Sequence, residues 1–197
     1  MQSLSGRRIA AWIIDIIIVL LLIMIISLIY HPNIHFLKES LNQNAVSYMQ
    51  NDISFSEYIT SISIIYKQID SVNIFVSIIN TFIVIVYFVV VPYFNKGKTI
   101  GKQIQKITVK MQSGGNIKLS SLFIRNLINN GLLYLILLIV GTLVIPENIY
   151  FIFLTIIGII QVVLLFTSMF MIVYRKDRKS LHDIIAHTTV SIINKKG

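Results

Sequence analysis

The chain has 197 residues, of which 55% are hydrophobic, and its formal net charge is +9. Its mean hydropathy of +0.80 is far above that of a soluble domain, which argues against a water-soluble globular protein and indicates an integral membrane protein. Cysteine is absent, so disulfides, thiolate metal sites and cysteine nucleophiles are excluded.

The first predicted element is a membrane span over residues 9–30. Ile, Leu and Val fill most of it, and a helix of this length rises about 33 Å, which is enough to cross a bilayer. One acid, Asp15, interrupts the run about 9 Å from its start. Because an ionisable group at this depth is costly, it usually faces protein or water and often marks function. The run is too long for a signal peptide, and no small-residue cleavage site follows it.

The second element is a long outer loop over residues 31–71. Within it, Ser54-x-x-Glu57 has the spacing of a capping box, in which each residue satisfies a backbone donor of the other. Apolar residues then recur at helical spacing, which predicts an amphipathic helix on the outer membrane surface or packed over the bundle. We favour a packing lid over a ligand-binding lid.

Three further spans are predicted over residues 72–94, 122–145 and 149–174. The third span starts with a polar turn before it continues as an apolar helix, and the polar residues of this turn are Arg125, Asn126, Asn129 and Asn130. Pro146 suits a short turn between the third and fourth spans.

The inner loop over residues 95–121 has the period of a strand, since apolar and polar residues alternate over 107–111 and again at Ile117 and Leu119. A Gly-Gly pair between these stretches predicts a small β-hairpin. Residues 188–193, in the tail over 175–197, also have a strand pattern and could supply a third strand.

Neither a nucleotide nor a metal cofactor is expected. Gly97-Lys98-Thr99 looks like the end of a phosphate-binding loop, but the position that needs the first glycine holds Pro92. Asp183 and His187 stand four residues apart, yet pairing of Asp183 with nearby basic residues, which would pin the tail to the bundle, is favoured over a metal site.

The basic residues define an orientation. All but two of the 17 Lys and Arg residues lie before the first span, in the loop over 95–121, at the mouth of the third span or in the tail; the exceptions are Lys38 and Lys67. The positive-inside rule therefore places both termini in the cytoplasm of a multi-pass protein of the cell membrane. The net charge is explained by contact with anionic lipids, and nucleic-acid binding is not expected.

Together these features predict an all-α membrane protein that forms a single domain over residues 1–197. It would have four transmembrane helices, cytoplasmic N and C termini, a small cytoplasmic β-hairpin or sheet and an amphipathic outer-loop helix.

A polar site is predicted around Asp15, because an isolated carboxylate in hydrocarbon needs a partner or a proton. Arg8 lies on the same helix face, but helical side chains lean toward the N-terminus, so we expect Arg8 to contact lipid headgroups. Arg125, with Asn129 one turn above it, is the better partner. The sequence therefore predicts a cluster of Asp15, Arg125 and Asn129 that acts either as a transport site or as a lock on helix register.

Four blocks of the sequence carry a resemblance: Arg8-x-x-Ala11-x-x-x-Asp15; Gly97-Lys98-Thr99-Ile100-Gly101-Lys102 with Val109 and Gly114/Gly115; Arg125; and Arg178-x-x-Leu181-His182-Asp183 with Thr189-Val190. In this order the chain resembles the RDD family of small bacterial membrane proteins. The arginine and two aspartates of the family name would correspond to Arg8, Asp15 and Asp183. The family pattern often has a glycine where this chain has Gln105-Lys106 and another where it has His187. These departures affect the expected geometry of the cytoplasmic turns at both positions.

The resemblance implies a fold and a polar triad more than an activity, although transport is suggested for the family and cation/proton antiport for some members. Our first hypothesis is small-solute or cation/proton transport in which Asp15 titrates and Arg125 tunes it. Four spans without an inverted repeat would need a homodimer to build a pathway. The alternative is a non-transporting adaptor or regulator of a partner membrane protein. An enzyme is not expected, because no span carries a serine–lysine or histidine–metal arrangement.

Overall fold

The computed structural model describes residues 3–30 and 32–193. The predicted tail charges Lys195 and Lys196 lie outside the described residues. The described chain is mostly helical, and its elements in order are α1 (Leu4–Ile29), α2 (His35–Met49), α3 (Phe55–Val72), α4 (Ile74–Ile85), a π-helical turn (Val86–Val90), α5 (Val91–Phe94), α6 (Ile100–Ile104), β1 (Ile107–Met111), α7 (Leu119–Asn129), α8 (Leu132–Val144), a 3₁₀ turn (Glu147–Ile149), α9 (Tyr150–Tyr174), α10 (Leu181–Ile185) and β2 (Thr188–Ile192).

Three helical segments are long and apolar enough to cross a membrane: Leu4–Ile29, Ile74–Phe94 and Glu147–Tyr174. The third predicted span is different, because α7 and α8 meet at a bend of 79°. The bend lies at Gly131, whose φ of +72° is left-handed and favours glycine. The described residues thus contain three candidate membrane spans, or four if the bent pair is counted as one broken span.

One face of α1 holds the residues that the bundle buries. Arg8, Ala11, Asp15 and Val19 recur at three- and four-residue intervals and are all buried. The other faces carry exposed Ile and Leu side chains, as expected of a helix in contact with lipid. The fold therefore turns Asp15, the acid of this span, toward the interior of the protein.

The outer loop contains two helices where the sequence predicts one. The predicted capping box at the start of α3 is confirmed: Ser54 accepts from the Glu57 backbone N–H, and the Glu57 carboxylate accepts from the Ser54 backbone N–H at 2.7 Å. Helix α3 buries Ile62, Ser63 and Ile65 and packs against α9, where the Ser63 hydroxyl accepts from the Phe151 backbone N–H at 3.1 Å. Helix α2 buries none of its residues, so it lacks the core-facing stripe that would reveal it in a sequence.

The predicted β-hairpin is wrong, although the small sheet is present. β1 pairs antiparallel with β2 from the tail, with Ile107 opposite Ile192 and Val109 opposite Val190. Leu119, predicted to lie in the hairpin, is instead the first residue of α7. A strand needs a partner, and the tail segment supplies it because α10 returns the chain to the bundle.

Two non-glycine residues in left-handed conformation precede the two strands. Lys106 has φ 55° and His187 has φ 51°, and these are the positions at which the RDD pattern often has glycine. A left-handed L-residue costs roughly 1–2 kcal/mol. Both turns therefore adopt the left-handed conformation without a glycine.

Candidate functional site

Asp15 is fully buried and receives hydrogen bonds from the loop and helix beside it. Its carboxylate accepts from the Tyr87 hydroxyl at 2.7 Å, the Thr99 hydroxyl at 2.5 Å and the Gly101 backbone N–H at 2.8 Å. No guanidinium contacts it among the residues that the structure describes. An acceptor-only carboxylate with three donors is well satisfied without a counter-ion.

The local sequence explains how these donors reach Asp15. A Cβ on Gly101 would collide with the Ala11 carbonyl oxygen and would lie 2.8 Å from the Asp15 carboxylate, so only glycine lets α6 approach α1 this closely. Tyr87 comes from the π-helical turn, and such single turns are frequent at functional sites.

Asp183 is the second buried carboxylate and pairs with two arginines. Arg8 and Arg125 each donate to it, and Ser180 donates from its hydroxyl at 2.7 Å and from its backbone N–H at 3.0 Å. Burial alone would raise the pKa of Asp183, but the charges of Arg125 and Arg8 hold its pKa well below the usual range. Asp183 is therefore ionised and ties α10 to α1 and α7.

The two arginines make further bonds to the tail. Arg8 donates to the Arg178 carbonyl at 2.6 Å and to the Ser180 hydroxyl at 3.1 Å, and Arg125 donates to the Thr188 hydroxyl. The expectation that Arg8 contacts headgroups is wrong, because the folded-back tail buries it and supplies its acceptors.

A chain of amides extends the polar region along α7. Asn126 donates to the Phe88 carbonyl at 2.9 Å and accepts from Asn130. The Asn130 amide oxygen accepts from the Trp12 indole N–H and from Asn129, each at 3.0 Å. These bonds join α7 to α1 and to the π-helical turn.

These groups surround a cavity of about 60 Å³, which we call the polar cavity. This volume is far below the roughly 300 Å³ of a site for an organic ligand. The polar and charged residues that line it are Arg8, Trp12, Asp15, Lys102, Arg125, Asn126, Asn129, Asn130 and His182.

Asp15, Arg125 and Asn129, the predicted cluster, all line this cavity, but they are not bonded to one another. Arg125 bonds to Asp183 and Thr188, Asn129 bonds to Asn130, and Asp15 bonds to Tyr87 and the loop before β1. The physical reason is that two segments distant in the sequence supply the partners. The segment before β1 bonds to Asp15, and the tail bonds to Arg125. Of the residues that would correspond to the family triad, Arg8 and Asp183 pair directly, whereas Asp15 stands apart from both.

Sequence reasoning missed the roles of Lys102 and His182. Lys102 is partly buried, and this burial together with the nearby charge of Arg125 lowers its pKa to about 8. His182 lies 2.7 Å from the Ser168 hydroxyl through Nδ1, and burial followed by the charge of Arg125 lowers its pKa well below the usual value, so it is neutral. The signal for both was their place in the blocks that carry the family resemblance.

A separate polar group lies at the other end of the bundle. Tyr150 donates to the Asp70 carboxylate at 2.8 Å, and the Thr142 hydroxyl lies 2.8 Å from the Tyr150 oxygen. Burial raises the pKa of Asp70, although the Tyr150 bond partly offsets this. No pattern in the sequence distinguishes Asp70 from the other acids of the outer loop.

No group of three or more potential ligands among His, Asp and Glu could hold a metal ion within residues 3–30 and 32–193.

A family model described as the RDD family matches residues 3–187. The chain is also 28% identical over 109 residues to the uncharacterized protein YckC of Bacillus subtilis strain 168. That alignment covers 55% of this chain and 56% of the relative, so it spans little more than half the length of YckC. No solved structure matches the chain.

Proposed function

This chain belongs to the RDD family and has the apolar helices of an integral membrane protein, and from its polar cavity we propose that it transports a small solute or ion across the cell membrane. The cavity brings ionisable groups from α1, α6 and α7 together inside the bundle, and this observation carries the proposal. Ionisable residues inside membrane segments commonly mark ion pathways.

The size of the cavity favours small ions and protons over larger solutes. Its volume of about 60 Å³ suits a proton relay or a single ion better than an organic molecule. Cation/proton exchange at Asp15 is the form of transport that we propose.

The loop before β1 is the element that would open this site. Two of the three donors to Asp15 come from Thr99 and Gly101, so a shift of α6 would free the carboxylate for a proton or a cation. Arg125, on the wall of the same cavity, would tune the charge of the site.

The surrounding assembly follows from the small number of spans. We propose that a homodimer completes the pathway. We also propose that both termini are cytoplasmic and that the basic face contacts anionic lipids. In this proposal the protein is not an enzyme and needs no cofactor.

The test is ion flux in proteoliposomes with a lumenal pH-sensitive dye and gradients of Na⁺, K⁺ or Li⁺. We expect proton-coupled flux in the wild type and a loss of at least tenfold in Asp15→Asn, which keeps the size of the side chain. The matched control is Asp177→Asn, an exposed acid paired with Arg175, which should leave flux unchanged. Absence of flux in the wild type with all three cations would contradict the proposal.

The Asp183 network favours a second candidate function. Two buried ion pairs fix α10 to the bundle, and the hydrogen bond from Arg125 to the Thr188 hydroxyl fixes β2, as a scaffold for a partner would require. The chain would then be a non-transporting adaptor or regulator of another membrane protein. A partner that crosslinks to the intact sheet in native membranes, but not after Asp183→Asn, together with a lack of flux, would support this candidate.

A further inference from the structure

The polar cavity has more positive than negative charge. Three cationic side chains, Arg8, Lys102 and Arg125, line it, against the carboxylates of Asp15 on its wall and Asp183 behind the arginines. His182, on the same wall, is neutral. One positive charge therefore stays uncompensated among side chains that are buried, as Arg8 and Arg125 are, or half-buried, as Lys102 is, and this is costly.

The cavity is also rich in unused hydrogen-bond donors. Arg125 is buried, and its hydrogen bonds all come from Nη1, so Nε and Nη2 have no hydrogen-bond partner within residues 3–30 and 32–193. The Lys102 ammonium likewise has no hydrogen-bond or ion-pair partner within residues 3–30 and 32–193.

The carboxylates, in contrast, are already engaged. Asp15 accepts three hydrogen bonds, and Asp183 accepts from Arg8, Arg125 and Ser180. In this arrangement, with Asp15 held by its three donors, a ligand of the cavity would meet free donors and a net positive charge, which favours an anion.

We propose that the polar cavity binds one small monovalent anion, of the size of chloride or nitrate, between Arg125 and Lys102. A monovalent ion matches the single uncompensated charge, and the volume of about 60 Å³ admits a small ion. This inference goes beyond the proposed transport function, since the anion would occupy the cavity whether or not the protein moves ions.

The site predicts a defined pH dependence. The groups around Lys102 are Asp15 and Arg8 on α1, Arg125 on α7, and His182 and Asp183 on α10. Burial and the Arg125 charge lower the pKa of Lys102 to about 8, so Lys102 loses its charge as the pH rises through that value. Anion affinity should therefore be high at pH 7 and weaken toward pH 9.5, and a bound anion should raise the pKa of Lys102.

Trp12 reports on the cavity directly, because it is the single tryptophan of the chain and lies on the cavity wall. The full chain, in non-ionic detergent with gluconate as the only other anion, would be titrated with chloride and nitrate while Trp12 fluorescence is recorded. We expect a saturable change with an affinity at least fivefold lower at pH 9.5 than at pH 7. Lys102→Gln should weaken binding at least tenfold and remove the pH dependence.

Lys110→Gln is the matched control, because Lys110 is an exposed lysine of the adjacent strand. Lys102→Arg keeps the charge at that position, so it should retain anion binding but lose the step near pH 8. The Lys102→Arg variant and the wild-type pH series keep the test valid if Lys102→Gln does not fold.

Three results would overturn the proposal: a fluorescence change that never saturates, equal weakening in both glutamine variants, or a saturable response to phosphatidylglycerol vesicles but not to chloride or nitrate. The last result would place a lipid phosphate, not a free anion, in the cavity. Saturable anion binding without flux would support this inference while contradicting the transport proposal, so the two failures are distinguishable.

Discussion

Gly101 decides how closely α6 approaches α1. The Ala11 carbonyl and the Asp15 carboxylate occupy the space where any side chain at this position would begin. The same short segment supplies two of the three donors to Asp15, through the Thr99 hydroxyl and the Gly101 backbone. The absence of a side chain at Gly101 therefore allows the buried Asp15 carboxylate to receive these two hydrogen bonds.

We expect Gly101→Ala to destabilise the protein by about 1–3 kcal/mol, the usual cost of overpacking a tight contact. Thermal unfolding in detergent would measure it. Gly115→Ala is the matched control, since a Cβ there meets open space and should change stability little. Equal melting temperatures for the two variants would contradict the close packing of α6 on α1.

Asp183→Asn should be more damaging, because it removes the counter-charge of two buried arginines. Breaking a buried ion pair by deleting one partner costs about 3–5 kcal/mol. Asp177→Asn, which breaks the exposed pair with Arg175, is the control and should have little effect. Unfolding curves for both variants at pH 7 provide the comparison. Similar losses of stability would show that Asp183 does not hold α10 to the bundle.

At the scale of elements, the short segments of this protein depend on anchors from elsewhere in the chain. α10 has five residues and β1 and β2 have five each, lengths that are marginal alone. Asp183 fixes α10, and the buried side chains Val109 and Val190 join the sheet to the core. Because these anchors join the tail to α1 and α7, the sheet forms from strands that are distant in sequence.

The strand register can be tested by crosslinking, because the chain has no cysteine of its own. Lys110 and Thr189 stand opposite each other, so Lys110→Cys with Thr189→Cys should form a disulfide on mild oxidation. Lys110→Cys with Ser191→Cys is displaced by two residues and should crosslink poorly. Loss of maleimide–PEG labelling after oxidation gives the readout; preferential crosslinking of the displaced pair would show another register.

At the scale of the whole molecule, the bundle has two unlike ends. One carries the sheet, the polar cavity and most of the basic residues, and the other carries α2, α3 and the Asp70–Tyr150 pair. The charge bias of the sequence argues that the first end faces the cytoplasm. This orientation is a proposal that labelling can decide.

Two single-cysteine variants give the orientation. Gln50 lies exposed between α2 and α3, and Ser113 lies exposed after β1. On intact cells we expect an impermeant maleimide to label Gln50→Cys, and to label Ser113→Cys only after permeabilisation. The reverse pattern would invert the topology, and labelling of both from outside would contradict a bundle that places these loops on opposite sides.

The sequence by itself determined the features that depend on neighbouring residues. The apolar runs near residues 9–30 and 149–174 became α1 and α9, the capping box at Ser54 started α3, and the RDD resemblance is confirmed by the family match over residues 3–187. Length and hydrophobic period are local properties, so a single chain displays them directly.

Only the tertiary structure decided which partners meet. The strand at 107–111 pairs with the tail instead of with 117–119, and Arg125 takes Asp183 instead of Asp15. The physical reason is that several donors and acceptors with similar chemistry compete within the chain. Proximity, created by packing between distant segments, selects among them.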